Sequence, residues 1–311
     1  MRRAVLGLSH TPLLGLNPLA PEVDTSLRSV LAEAARCVHE FAPELVVIFA
    51  PDHFNGFFHD LMPPFCIGTQ AEAVGDYGTP SGPLNVPADE ALMLARDIGA
   101  SGLDAAVSRR MSVDHGFAQP LQLLFGGLGT PPVIPIFINA AAAPAIPSVA
   151  RCLALGRAVG RHFASDPRRI LIIGSGGLSH DPPIPTLDHP DASVRERIVV
   201  RNRPTAEQRA ARQERVIAAG KAMAAGTSDR RPLNPDWDRR LMDQLEAGDW
   251  TTIEAMREDE IDRQGGGSAH EVKTWIAAFA SQEAQTLGTR LRWYRDIPAL
   301  IAGFGILFRA A

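Results

Sequence analysis

Continuous apolar runs at Ala4–Leu8, Leu45–Ala50, Val133–Ile138 and Ile170–Ile173 lack the alternation of a half-exposed strand. They predict strands buried on both faces. Pro135 falls inside the third run, so that strand is expected at a sheet edge or a bulge, where a missing N–H is tolerated. A weaker strand candidate covers Ala105–Val113. Between the runs, apolar residues recur at three- and four-residue spacing over Val23–Phe41, Ala88–Ile98, Gln119–Phe125 and Ile146–Phe163, which predicts amphipathic helices. Strand alternating with helix argues for an α/β fold with a central, mainly parallel or mixed sheet flanked by helices.

The pattern changes after residue 180. The stretch DPPIPTLDHP is a proline-rich turn region, and Ala192–Arg240 is dense in Arg, Glu, Asp and Ala. This reads as solvent-facing helices, with a cap or an oligomer contact as the functional alternatives. Helical periodicity returns at Pro235–Ala247 and Glu271–Thr286, giving a helical C-terminal elaboration. With no internal repeat and no low-complexity linker, residues 1–311 are expected to form a single domain.

Composition narrows the function. At 311 residues and 45% hydrophobic content the chain can bury a large core, and a net charge of −4 offers no footprint for nucleic acid. Three well-separated cysteines, Cys37, Cys66 and Cys152, give neither a disulfide framework nor a CxxC metal site, which fits a reducing cytoplasm. His10 and Pro12 interrupt the first apolar stretch before it reaches the length of a membrane span, so neither a membrane segment nor a secretion signal is expected.

Four of the nine histidines stand just beyond the ends of apolar runs, in loops rich in Ser, Asp, Gly or Pro: His10, His53, His115 and His180. The carboxyl ends of strands form the ligand-binding rim of an open α/β sheet, so these residues can converge despite their separation in sequence. A lone loop histidine is ordinarily structural, hydrogen-bonded to a carbonyl; four in equivalent positions suggest a metal or acid/base site. His39, His59, His162 and His189 lack that placement and read as structural or surface residues.

Two neutral imidazoles and one carboxylate on one face of a metal suit non-haem iron. Asp52 and Asp114 each adjoin a key histidine and so fit better as turn or supporting groups. Glu271, in GGGSAHEVKTW, is the remaining candidate, with His270 as a competing ligand. Ser268 and Glu271 also have the S-x-x-E spacing of a capping box ahead of a helical run, and on spacing alone capping is the stronger reading. The loop Gly174-Ser175-Gly176-Gly177 lacks a P-loop lysine and a dinucleotide fingerprint, so it reads as a turn that aims His180 or leaves room for a flat substrate.

Six motifs in order, LSHTP, FAPDHFNGFF followed by MPPFC, VDHGFAQPL, GSGGLSHDPP, HEVKTW and WYRDIPALIAGFG, resemble those of the class III (LigB-type) extradiol dioxygenases across essentially the whole chain. The resemblance implies a single catalytic domain that opens a 3-substituted catechol, of the 2,3-dihydroxyphenylpropionate or 2,3-dihydroxycinnamate kind, with both atoms of O2 inserted. It implies a ferrous ion, Fe(2+), held by His10, His53 and Glu271, with His115 as proton donor and His180 as proton acceptor. Such a site carries a net charge of +1, which a singly deprotonated catechol neutralises. Expected partners are the catecholic small molecule and O2, with no nucleic acid or membrane, and a symmetric homo-oligomer. A zinc hydrolase on the same rim and a non-enzymatic interaction module are the competing readings.

Overall fold

The computed structural model describes residues 3–201, 205–282 and 287–311. The chain opens with β1 (Arg3–Leu8), α1 (Pro21–Phe41) and β2 (Leu45–Ala50), then runs through β3 (Phe65–Gly68), β4 (Ala71–Val74), β5 (Ser81–Pro83), α2 (Ala88–Ala100), β6 (Ala106–Ser108) and β7 (Met111–Val113). There follow α3 (His115–Phe125), β8 (Val133–Ile138), α4 (Val149–His162) and β9 (Ile170–Ser175). A helical stretch comes next: α5 (Ala192–Val199), α6 (Ala206–Ala224), α7 (Pro235–Ala247), α8 (Trp250–Glu254), α9 (Glu258–Gly265) and α10 (Val272–Ala280). Then β10 (Gly288–Ile297) and β11 (Ala302–Ala310) close the fold.

The main sheet has eight strands in the order β10-β11-β1-β9-β2-β8-β3-β6, and β4, β5 and β7 form a separate three-stranded sheet. Strands β1, β9, β2 and β8 are parallel neighbours, while β11 and β3 join them antiparallel. Every residue of the four parallel strands is buried because successive side chains enter opposite layers. Leu45, Val47 and Phe49 pack with α4 and α10, whereas Val46, Ile48 and Ala50 pack with α1 and α3. Two apolar layers explain the unbroken runs in the sequence.

Four expectations change. The Pro135 strand is interior and continuous, between β2 and β3; it tolerates proline because pairing with β3 stops one residue short, at Ile136, and Gly68 leaves room for the ring. The Ala105–Val113 candidate divides into β6 and β7, which belong to different sheets. The helical C-terminal part ends in a long antiparallel hairpin, β10 and β11, that the mixed Arg and aromatic pattern of β10 concealed. The helix expected over Glu271–Thr286 spans Val272–Ala280, and residues 283–286 lie outside the described residues. No described helix is long and apolar enough to cross a membrane.

Candidate metal and acid/base site

His10, His53 and His180 leave the carboxyl ends of neighbouring strands β1, β2 and β9, while His115 arrives from the small sheet as the first residue of α3. All four are buried, and each has its Nδ1 occupied, so each tautomer follows from its partner. His10 Nδ1 lies 2.9 Å from Ser175 Oγ, whose own proton goes to the Gly116 carbonyl at 2.6 Å. The hydroxyl must therefore accept from His10 Nδ1–H, which leaves Nε2 as a lone pair. That carbonyl is available because Pro120, four residues on in α3, has no N–H to donate to it.

His53 Nδ1 donates to Asp114 Oδ2 at 3.0 Å, and the same oxygen accepts the His53 backbone N–H and the Asn55 side-chain amide. Asp114 also caps α3 by accepting from Gly116 N–H, so one carboxylate both starts a helix and aims an imidazole. Asp52 closes the adjoining turn by accepting the N–H groups of Asn55, Gly56 and Phe57. His115 Nδ1 is 2.6 Å from Asp76 Oδ2, and its backbone N–H meets Asp76 Oδ1 at 2.8 Å. His180 Nδ1 donates to the Leu178 carbonyl at 2.8 Å.

Glu271 stands at the centre. Its Oε1 lies 3.1 Å from His53 Nε2 and 3.2 Å from His180 Nε2; its Oε2 lies 3.5 Å from His10 Nε2 and accepts Gly177 N–H at 2.7 Å. The expected capping box is absent, because Ser268 makes no side-chain cap and the Glu271 carboxylate faces the histidines. Nor does His270 compete as a ligand, since its ring nitrogens face Lys273, Glu258 and Asp262. Glu271 reaches the rim because α10 rests on glycines: a Cβ on Gly174 would meet the Thr274 carbonyl at 2.7 Å, and one on Gly176 the Glu271 carbonyl at 2.6 Å.

Electrostatics follow the packing. Burial pushes His10 down to about 3, keeping it neutral. Burial also opposes charge on His53, yet Asp114 and Glu271 outweigh it and raise its pKa well above the usual range. His180 is raised too, since Glu271 outweighs burial there. Glu271 stays ionised despite its burial, which raises its pKa, because the surrounding imidazoles hold it well below the carboxylate range.

The donor set fits a divalent metal. A buried carboxylate needs a cation, and two ligands each about 2.1 Å from one ion stand roughly 3.0–3.4 Å apart, close to the His53–Glu271 and His10–Glu271 separations. His115 Nε2 is a buried nitrogen without a hydrogen-bond partner, consistent with a group awaiting something in the cleft. Ligand-capable atoms of His10, His53 and His115 all lie within 4.8 Å of one another. A second such group, Asp76, Asp114 and His115, is held together by the hydrogen bonds already described.

A cleft of about 50 Å³ opens over these residues, lined also by Tyr77, Pro183, Arg212 and Ile301. The model of the catalytic LigB subunit of aromatic ring-opening dioxygenase matches residues 4–305. The chain belongs to this LigB family.

A Comamonas testosteroni relative named 2,3-dihydroxyphenylpropionate/2,3-dihydroxicinnamic acid 1,2-dioxygenase is 55% identical over 309 residues, 99% of this chain and 96% of the relative. Relatives of the same name from a Rhodococcus species and from Rhodococcus jostii (strain RHA1) are 51% and 49% identical, each over 97% of this chain and 96% of their own length. Sequence reading missed three residues of this LigB site: Ser175, Asp76 and Tyr77. Asp76 lies 39 positions before the histidine it holds, in a loop with no local signal. The remaining histidines lie elsewhere: His162 pairs with Asp97, His59 stacks on Phe54, His189 accepts from Asp191 N–H, and His39 lies in the last turn of α1.

Proposed function

We propose that this LigB-family chain, acting as one catalytic domain over residues 1–311, performs extradiol cleavage of a 3-substituted catechol with a ferrous ion held by His10, His53 and Glu271. The substrate of its close relatives, 2,3-dihydroxyphenylpropionate or the cinnamate, is taken as its own. The convergence of four imidazole Nε2 atoms and one ionised buried carboxylate on a single cleft carries the reading. When bound, the iron supplies the one-electron chemistry that lets a catechol react with dioxygen.

The protein's own groups handle the protons. His180, with Nδ1–H committed to Leu178, offers its Nε2 lone pair to the second catechol hydroxyl. His115 is backed by the Asp76 carboxylate, which steadies an imidazolium, so its Nε2–H can protonate the oxygen that leaves as the ring opens. The mutual closeness of His10, His53 and His115 favours a second ligand set, with His115 in place of Glu271. We prefer Glu271 because its buried negative charge, with three imidazole Nε2 atoms around it, needs the ion. Three buried, unpaired cysteines suit a reducing cytoplasm, and a symmetric homo-oligomer is part of the same proposal.

Anaerobic loading with Fe(II), addition of 2,3-dihydroxyphenylpropionate and admission of oxygen should consume O2 and give a yellow conjugated product; no uptake with a panel of catechols would end the proposal. Activity that persists in air and follows zinc content would instead favour a hydrolase. In variants, His10→Ala, His53→Ala and Glu271→Ala should lose iron, whereas His115→Ala and His180→Ala should keep it and lose roughly 10²- to 10⁴-fold in turnover. Iron lost from His115→Ala but retained in Glu271→Ala would assign the ligands the other way.

A further inference from the structure

Beside the catalytic cleft lies a larger chamber of about 230 Å³, walled by α5 and α6 from the Arg-rich segment and by the Gly75–Gly78 turn. The two cavities share Tyr77, Pro183 and Arg212 in their linings, so the chamber adjoins the cleft over the histidines at these three residues. Its wall is amphipathic. Phe54, Phe58 and Ile198 contribute apolar surface to the lining, and Arg197, Arg209, Arg212 and Arg215 contribute four cationic side chains. Asp76 is the sole acid of the lining, and both of its oxygens are committed to His115.

We propose that this chamber takes the carboxylate-ended side chain of the catechol, with Arg212 as the residue that selects it. This rests on the ring-cleaving function proposed above and adds the determinant of substrate class. Arg212 is the only one of the four arginines to line both cavities, and it is half-buried. One guanidinium nitrogen donates to the His53 carbonyl at 2.7 Å, which fixes the fork at the boundary and leaves its other N–H groups for a carboxylate. Tyr77 also lines both cavities. It is held at φ 48°, a left-handed conformation that L-residues rarely adopt, and its ring meets His115 edge-on at 5.2 Å. The aliphatic carbons of the side chain would pass between Tyr77 and Pro183, and the carboxylate would end among the arginines. A neutral chain of the same length would leave the Arg212 fork unpaired.

The test compares 2,3-dihydroxyphenylpropionate with 3-propylcatechol, which has the same ring and a chain of the same length without the charge. Iron-loaded wild type is expected to prefer the acid by roughly 10²-fold in kcat/KM, and Arg212→Gln to bring the ratio of the two kcat/KM values to within about threefold of one, chiefly through a higher KM for the acid. A preference that survives Arg212→Gln overturns the proposal, as does an equal loss for both substrates, which would mean that Arg212 only braces His53. Should Arg212→Gln not fold, Arg212→Lys keeps the charge without the fork and is expected to lose roughly tenfold for the acid alone; equal loss again overturns it. Calorimetric titration of metal-free protein with 3-phenylpropionate, which has no diol, reads the chamber apart from ring cleavage. Binding at least about tenfold weaker in Arg212→Gln supports the proposal, and unchanged binding refutes it. Wild type that binds 3-phenylpropionate through Arg212 yet opens no catechol would sink the ring-cleaving function while leaving the anion site standing.

Discussion

At the residue scale, each imidazole in the cleft is set by a partner that also serves the fold. Ser175 ends β9 and fixes the His10 tautomer; Asp114 caps α3 and fixes that of His53. Ser175→Ala is expected to weaken iron binding about 10- to 100-fold with little change in stability, as is typical when the group behind a ligating histidine is lost; metal titration of the refolded variant checks it. Wild-type affinity would show that the hydroxyl does not set the tautomer. The thiols behave differently. Burial pushes Cys66 and Cys152 up to about 12, so both should resist alkylation in the native protein and react only on unfolding, as read by mass spectrometry. The four rim histidines were legible in the sequence because each follows an apolar run. Their anchors were not: Asp76 and Ser175 act through contacts across 39 and 165 positions that no local pattern encodes.

At the element scale, the sequence showed the four parallel strands and most of the long helices, since a fully buried strand has an unmistakable apolar signature. It failed where one residue type serves two ends. Ser268 and Glu271 carry a capping signal, yet a 3-10 turn replaces the box because the carboxylate has partners on the rim. The junction of α9 and α10 is instead secured by Lys273, which is fully buried and pairs with Glu258 and His270. Burial opposes ionisation of Glu258, but its hydrogen bonds to His270 and Lys273 outweigh this and lower its pKa below the ordinary 4.5. The folded state therefore binds fewer protons at this site than the unfolded one; the stability from Glu258 is present above about pH 4.5 and is lost as pH falls through the lowered value. Glu258→Ala is expected to cost about 2 kcal/mol at neutral pH, less than for a fully buried pair because Glu258 is 44% exposed. The cost should shrink in acid; denaturant midpoints at pH 7 and pH 4 measure it, and an equal cost at both would disprove the pairing's role.

At the scale of the whole molecule, the C-terminal hairpin supports the histidine rim from the side that sequence reading left helical. β11 lies along β1, and the Gly305 carbonyl accepts Ser9 N–H at 3.0 Å beside His10. On the same strand a Cβ at Gly303 would come 2.0 Å from Asp238 Oδ2, the carboxylate that holds Ser179 next to His180. Gly303→Ala should thus displace the His180 loop and lower turnover while iron content stays near wild type; simultaneous loss of iron would show that the disturbance spreads through β1 to His10. Pro120 serves the site at the expense of its own helix. It interrupts the α3 ladder at the Gly116 carbonyl, and that interruption is what Ser175 uses to orient His10. An engineer who repaired the helix with alanine would therefore be working against the metal site proposed here. Selection for heat resistance alone would reward the repair, and the hardier protein would be the poorer catalyst.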